Sequence, residues 1–240
     1  MKVRILRKRP GEEKQYWEEF IYGGSPEISV AGMLDDLNYE DDIVNSKGEN
    51  VPRIAWECSC LQGMCGGCAM VINGRPALAC ETFVKDLGDE ISVSPLSKFP
   101  VISDLVIDRG IIHENALKVN DYIEEYKASP AEEHAHQYSA AKCLKCGLCL
   151  EVCPNYIKGD RFYGALFAND CYLIATRSEV YNKDILKDYD RHFASGCSKS
   201  LACVEVCPMK IPTLSSMAKL NRAGGSKHRS DKFLRNGSEK

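Results

Sequence analysis

Thirteen cysteines in 240 residues are the feature of this sequence most able to do chemistry, and eleven of them fall into spaced sets. The first set is Cys60-x4-Cys65-x2-Cys68-x11-Cys80. A short loop carrying three thiolates, with a fourth returning from a distance, is the spacing of a plant-type [2Fe–2S] site. Gly63, Gly66 and Gly67 lie inside that loop. Lacking Cβ atoms, they let the backbone take unusual dihedrals and aim amide N–H groups at sulfur. The competing reading is a structural zinc site, but zinc favours paired short knuckles and leaves the glycines without a purpose. Cys58 lies two residues before Cys60, and only Cys60 gives the four-residue gap to Cys65.

The second set, Cys143-x2-Cys146-x2-Cys149-x3-Cys153-Pro154, is a bacterial-ferredoxin run, in which three close thiolates hold one cluster and the fourth crosses to another. Its partner run is Cys197-x5-Cys203-x3-Cys207-Pro208, with Ser200 where a second cysteine would stand. The crossed pattern assigns Cys143, Cys146, Cys149 and Cys207 to a [4Fe–4S] cluster. Cys153, Cys197 and Cys203 remain, and three thiolates suit a [3Fe–4S] cluster, because the iron opposite Ser200 has no soft ligand. A four-iron cluster with serine oxygen or water on the last iron is the alternative. Iron through these cysteines is the only metal expected. Cys171 lies outside every set and reads as a small buried hydrophobe. His134-x-His136 reads as a solvated feature, and His113, His192 and His228 show no ligand spacing.

Two kinds of element must position these sets. Val3 to Arg7 alternates as a strand does, and Trp17 to Tyr22 is aromatic and apolar before the turn Gly23-Gly24-Ser25-Pro26. Ser29 can cap a helix carrying Val30, Met33, Leu34 and Leu37 on one face. Ala69 to Ile72, Asn73-Gly74 and Pro76 to Ala79 predict a hairpin, and Ile91 to Val93 the last strand. After Pro95 and Pro100 the period becomes helical, through Ala116, Val119, Ile123 and Tyr126, and again between about Asp160 and His192. The expected fold is α+β: a strand-rich domain over residues 1–105, a helical domain over 106–221, and a basic tail over 222–240 that reads as mobile. Asp35, Asp36, Glu40, Asp41 and Asp42 read as a solvated acidic face.

Charged residues make up 27% of the chain and the formal net charge is -3. Composition therefore implies no nucleic-acid partner. No secretory or transit segment is visible at the start, and no run approaches the roughly 20 apolar residues that span a bilayer. Cysteine richness without a secretory signal fits a reducing cytoplasm, with membrane association only through a partner.

The order of a two-iron loop, a run ending Cys153-Pro154 and a run from Cys197 through Cys207-Pro208 resembles the iron–sulfur subunit of succinate dehydrogenase and fumarate reductase. Cys60-Leu-Gln-Gly-Met-Cys65-Gly-Gly-Cys68 and Ile72-Asn-Gly-Arg-Pro-Ala-Leu-Ala-Cys80 carry the likeness most clearly. The resemblance implies a β-grasp ferredoxin domain followed by an α-helical ferredoxin domain. It also implies electron relay between an FAD flavoprotein subunit, where succinate and fumarate interconvert, and a quinone-reactive membrane anchor of one or more subunits, with or without haem. The chain would lie peripherally on the cytoplasmic side of a bacterial or archaeal inner membrane. No catalytic residue is expected on this chain, and dicarboxylate chemistry belongs to the partner. Asn155, Tyr156 and Ile157 stand where better-known dehydrogenases carry tryptophans, and Ser198 replaces a histidine. These departures leave cluster binding intact and fit the more divergent fumarate reductases or a complex with a different terminal partner. A relay for another flavoprotein or a heterodisulfide-type thiol reductase is the alternative.

Overall fold

The computed structural model describes residues 1–39, 42–119, 122–123, 125–126, 128–178 and 182–223. Glu40 and Asp41 of the acidic run, His228, and the tail from residue 224 onward lie outside the described residues. Asp35, Asp36 and Asp42 are exposed, as a solvated face requires.

The strand half is built on β1 (Lys2–Lys8), whose alternation buries Val3, Ile5 and Arg7. It pairs antiparallel with β2 (Gln15–Ile21), from Lys2 opposite Ile21 to Lys8 opposite Gln15. Ser29 Oγ accepts from the Gly32 N–H at 3.2 Å, capping α1 (Val30–Leu37), which buries Val30, Met33 and Leu34. A cap of this kind satisfies a backbone donor that the first helical turn leaves unpaired. A short ladder of β3 (Ile43–Val44) and β4 (Asn50–Val51) follows. Next, β5 (Ala69–Ile72) and β6 (Arg75–Leu78) form the expected hairpin. Asn73 at φ 45° and Gly74 at φ 75° make its tight turn, both in the left-handed region that such two-residue connections require. β7 (Glu90–Ser94) runs parallel to β1 and antiparallel to β5, closing a five-stranded sheet of order β2-β1-β7-β5-β6. With a helix across it, this is a β-grasp arrangement.

Arg7 is polar at an inward position and only 3% exposed. Such a group must be fully paired to be tolerated. Its guanidinium donates to Glu18 Oε2 at 2.8 Å, lies 2.9 Å from Asp104 Oδ1, and donates to the carbonyls of Pro52 and Arg53. Asp104 also accepts from the N–H groups of Lys8 and Ala55. Asp104 lies between β8 (Val101–Ser103) and β9 (Val106–Ile107), a hairpin that the expected change to helix after Pro100 did not anticipate.

The helical half begins with α2 (Gly110–Lys118), which ends earlier than the apolar spacing suggested. Val119 caps it, whereas Ile123 and Tyr126 lie beyond, Tyr126 forming an isolated bridge with Ser178. Then come α3 (Ala131–Ala141), α4 (Leu148–Glu151), α5 (Gly164–Arg177) and α6 (Asn182–Tyr189), the last running into a π turn at Asp190–Ala194. α7 (Ala202–Glu205) and α8 (Thr213–Ala223) complete the half. The central α5 buries Leu166, Phe167 and Tyr172 and packs against α6 and α8. Burial of each large apolar side chain contributes about 1.5–3 kcal/mol. His136 is not solvated: its Nε2 meets Ser216 Oγ of α8 at 2.9 Å, and its ring packs edge-on against Tyr172.

Candidate iron–sulfur sites

The first cysteine loop spans the connection from β4 to β5, and Cys80 returns just after β6. The Ala79 N–H donates to the Cys68 carbonyl at 3.0 Å, tying the returning segment that carries Cys80 to the loop. The Gly63 N–H donates to Cys80 Sγ at 3.3 Å, folding the loop over the returning residue. Further N–H donors reach sulfur from Gln62 and Met64 onto Cys60, at 3.4 and 3.3 Å, and from Gly67 onto Cys65 at 3.5 Å. The Gln62 and Met64 donors pull the Cys60 thiol down to about 7. Burial pushes the Cys68 thiol up to about 12. One member of the set is thus prepared as thiolate, and a buried one gains its charge only when a cation replaces the proton. Gly66 differs from its neighbours, since its bare Cα faces the second cysteine loop.

Cys143, Cys146, Cys149 and Cys207 line one pocket. Cys153, Cys197 and Cys203 line another, with Ser200 in its wall. The crossing expected from the spacing therefore brings Cys207 to the first run and Cys153 to the second. Burial, followed by neighbouring thiols, holds Cys149 well above its ordinary value, and burial raises Cys143, Cys197 and Cys203. A nest of thiols that resists bare negative charge is a receptor for a cationic metal centre. Among the described residues no three Cys, His, Asp or Glu side chains close on a single ion. Cys58 is exposed, and Cys171 is fully buried on α5.

The two runs repeat one backbone. Lys145 at φ 53° and Gly147 at φ 89° precede α4, and Lys199 at φ 59° and Leu201 at φ 64° precede α7. Ser200 thus occupies the place of Cys146. Leu201 takes the left-handed conformation without a glycine, at about 1–2 kcal/mol.

Three contacts that the spacing gave no sign of join the sites to one another and to the segment that follows β7. Arg109, at the start of α2, donates to the carbonyls of Gly67 and Cys146. Glu151 of α4 accepts from Ser97 Oγ at 2.7 Å and the Lys98 N–H at 3.1 Å. Phe99 and Leu96 pack against Gly147.

Residues 2–114 match the model of a 2Fe-2S iron-sulfur cluster binding domain, and residues 137–211 that of a 4Fe-4S dicluster domain. Over 229 residues the chain is 32% identical to the succinate dehydrogenase iron-sulfur subunit of Bacillus subtilis, covering 91% of this chain and 90% of that protein. The chain belongs to the succinate dehydrogenase and fumarate reductase iron–sulfur subunit family. A fumarate reductase iron-sulfur subunit of Wolinella succinogenes is 29% identical over 238 residues, covering 92% and 95% of the two chains. The fold is that of a chain in the Mycobacterium smegmatis Sdh1 complex, with a TM-score of 0.68, 23% identity and coverage of 94% and 97%. Family membership makes the chain an electron-transfer subunit with two-iron and four-iron binding domains. Among the described residues no helix is long and apolar enough to cross a membrane.

Proposed function

We propose that this chain is the electron-relay subunit of a succinate:quinone oxidoreductase or fumarate reductase, working between an FAD flavoprotein and a quinone-reactive membrane anchor. Cys60, Cys65, Cys68 and Cys80 would hold a [2Fe–2S] cluster, and Cys143, Cys146, Cys149 and Cys207 a [4Fe–4S] cluster. Cys153, Cys197 and Cys203 would hold a [3Fe–4S] cluster, because Ser200 offers a hard oxygen in place of a thiolate. Bound clusters supply one-electron redox steps, with potentials set by cluster type, hydrogen bonds and exposure.

The observation that carries the reading is the serial contact of the three thiol sets. The first loop touches the second at Gly66 and Cys146, and α4, which carries Cys149 of the second set, packs against α7, which carries Cys203 of the third. A freestanding carrier needs no such line with two ends. The chain's own residues do the holding and tuning. N–H donors at Cys60, Cys65 and Cys80 stabilise added negative charge, which raises the potential of that centre. Each end of the line presents apolar surface for a partner. Leu61 and Met64 are 51% and 63% exposed on the first loop, and Leu201 and Leu214 border the pocket of Cys153, Cys197 and Cys203 at 40% and 46% exposure.

Electron paramagnetic resonance on the complex from its native host, before and after succinate and then fumarate, tests this. Signals that change with the dicarboxylates, including loss of an oxidised three-iron signal, are expected. Intact clusters that ignore both compounds would overturn the dicarboxylate assignment and direct the search to another flavoprotein.

A further inference from the structure

The strand half and the helical half meet where the first and second cysteine loops touch, and Arg109 lies in that seam. Its Nη2 donates to the Gly67 carbonyl at 3.1 Å, and its Nε to the Cys146 carbonyl at 3.3 Å. Its Nη1 pairs with Glu57 Oε2 at 2.5 Å. Gly67 lies between Cys65 and Cys68, and Cys146 belongs to the second set, so one side chain is tied to the backbone of both loops. The Arg109 side chain is 19% exposed, so most of its surface is withdrawn from water. Beside it, Gly66 sits at φ +76°, and a Cβ there would stand 2.7 Å from Cys146 Cβ and 3.2 Å from Leu144 Cβ. Only hydrogen fits between the loops.

We propose that Arg109 is a positioning residue that, together with Gly66, sets the separation of the first and second iron–sulfur sites. This rests on the cluster assignment above. The loops belong to different halves of the chain, so their spacing must be imposed by contacts across the seam. Electron tunnelling depends steeply on that spacing. A guanidinium suits this role because it is planar, permanently charged and carries five donors in a rigid fork, so it can satisfy two carbonyls and a carboxylate at once. Lysine carries the same charge as a single point on a flexible stem and cannot span all three. Glu57 holds the third corner and offsets the charge that would otherwise be left half-buried.

The test uses the full chain in its complex with clusters loaded, comparing wild type with Arg109→Lys, Arg109→Gln and Gly66→Ala. The readouts are iron content, the reduction potential of each centre, and the spin relaxation of the reduced first-site signal. That relaxation is quickened by a nearby paramagnetic second site and falls steeply with distance. Arg109→Lys is expected to keep its iron and both potentials and to slow the relaxation. Gly66→Ala reaches the same result by wedging the loops apart. Arg109→Gln slows relaxation and also lowers the second-site potential, because a positive charge that favoured the reduced centre is gone. Wild-type relaxation in both Arg109→Lys and Gly66→Ala, at full iron content, would overturn the proposal. Loss of iron from Arg109→Lys would overturn it too, by making Arg109 a requirement for binding and not a spacer. Absence of both signals from wild type would instead remove the cluster assignment, so the two failures are distinguishable.

Discussion

Gly147 separates Cys146 from the helix that carries Cys149, and the cost of giving it a side chain can be worked out in two parts. Its φ is +89°. An L-residue in left-handed backbone costs about 1–2 kcal/mol. A Cβ there would stand 2.8 Å from Phe99 Cζ, 3.0 Å from Phe99 Cε2 and 3.5 Å from Leu96 Cδ1. Phe99 is 3% exposed and has no open space to retreat into. Overpacking therefore adds about 1–3 kcal/mol. Gly147→Ala should lose about 2–5 kcal/mol in all. At the roughly 2–4 °C per kcal/mol of a chain this size, Tm should fall by about 4–20 °C. The parts can be separated, because Phe99→Leu removes the ring but not the dihedral strain. The double variant should recover about 1–3 kcal/mol relative to the sum of the singles. The assay is thermal melting of the iron-loaded chain followed by circular dichroism, alongside iron retention against a chelator. A Gly147→Ala protein melting within about 2 °C of wild type would refute the reasoning. So would strict additivity with Phe99→Leu, which would mean the ring is not what the new methyl meets.

Ser200→Cys restores the thiol that the repeated backbone places opposite Cys146. It should convert a three-iron centre to a four-iron one, raising iron by about one per chain and abolishing the oxidised three-iron signal; an unchanged iron count counts against it. Arg7→Leu strands the buried carboxylates of Glu18 and Asp104 and should cost about 3–5 kcal/mol in urea unfolding, whereas a loss under about 1 kcal/mol would show that the network relaxes. His136 is held below its ordinary 6.5 first by burial and then by the Lys219 charge, with Glu133 opposing. Its neutral form is the one the fold favours, so its contribution is present above about pH 6.5 and is lost as pH falls through the depressed folded value. His136→Gln should flatten the decline of Tm between about pH 7 and pH 5, and equal slopes in both proteins would exclude that role.

The cysteine sets were legible because ligand spacing is a local property of the chain. The same holds for the Ser29 cap, the Asn73-Gly74 hairpin and the inward alternation of β1. Where the sequence misled, a local pattern met a long-range fact. Ile123 and Tyr126 continue the helical period of Ala116 and Val119, yet α2 stops at Lys118 and Tyr126 bridges to Ser178 instead. His136 looked solvated because its partners, Ser216 and Tyr172, are distant in sequence. Arg109, Glu57 and the Leu96–Phe99 stretch carry no motif, since joining two loops requires only a donor, an acceptor and a ring in the right place. Gly66 was visible as a glycine in a cysteine loop, but its reason is the approach of Cys146 and not donation to sulfur.

The exchange of Cys207 and Cys153 between the two runs has a consequence for biogenesis. Neither helical-half cavity has its thiols together until synthesis has passed Cys203, and the larger set waits for Cys207. A nascent chain therefore cannot finish either site from the first run alone. Once filled, each becomes a cross-link between segments about fifty residues apart in sequence, shrinking the freedom of the unfolded chain as a disulfide does. Metal capture and folding of this half become one event. The first site closes within a loop and hairpin already organised by the sheet and is free of that dependence, so stripping iron should slacken the helices while the sheet persists.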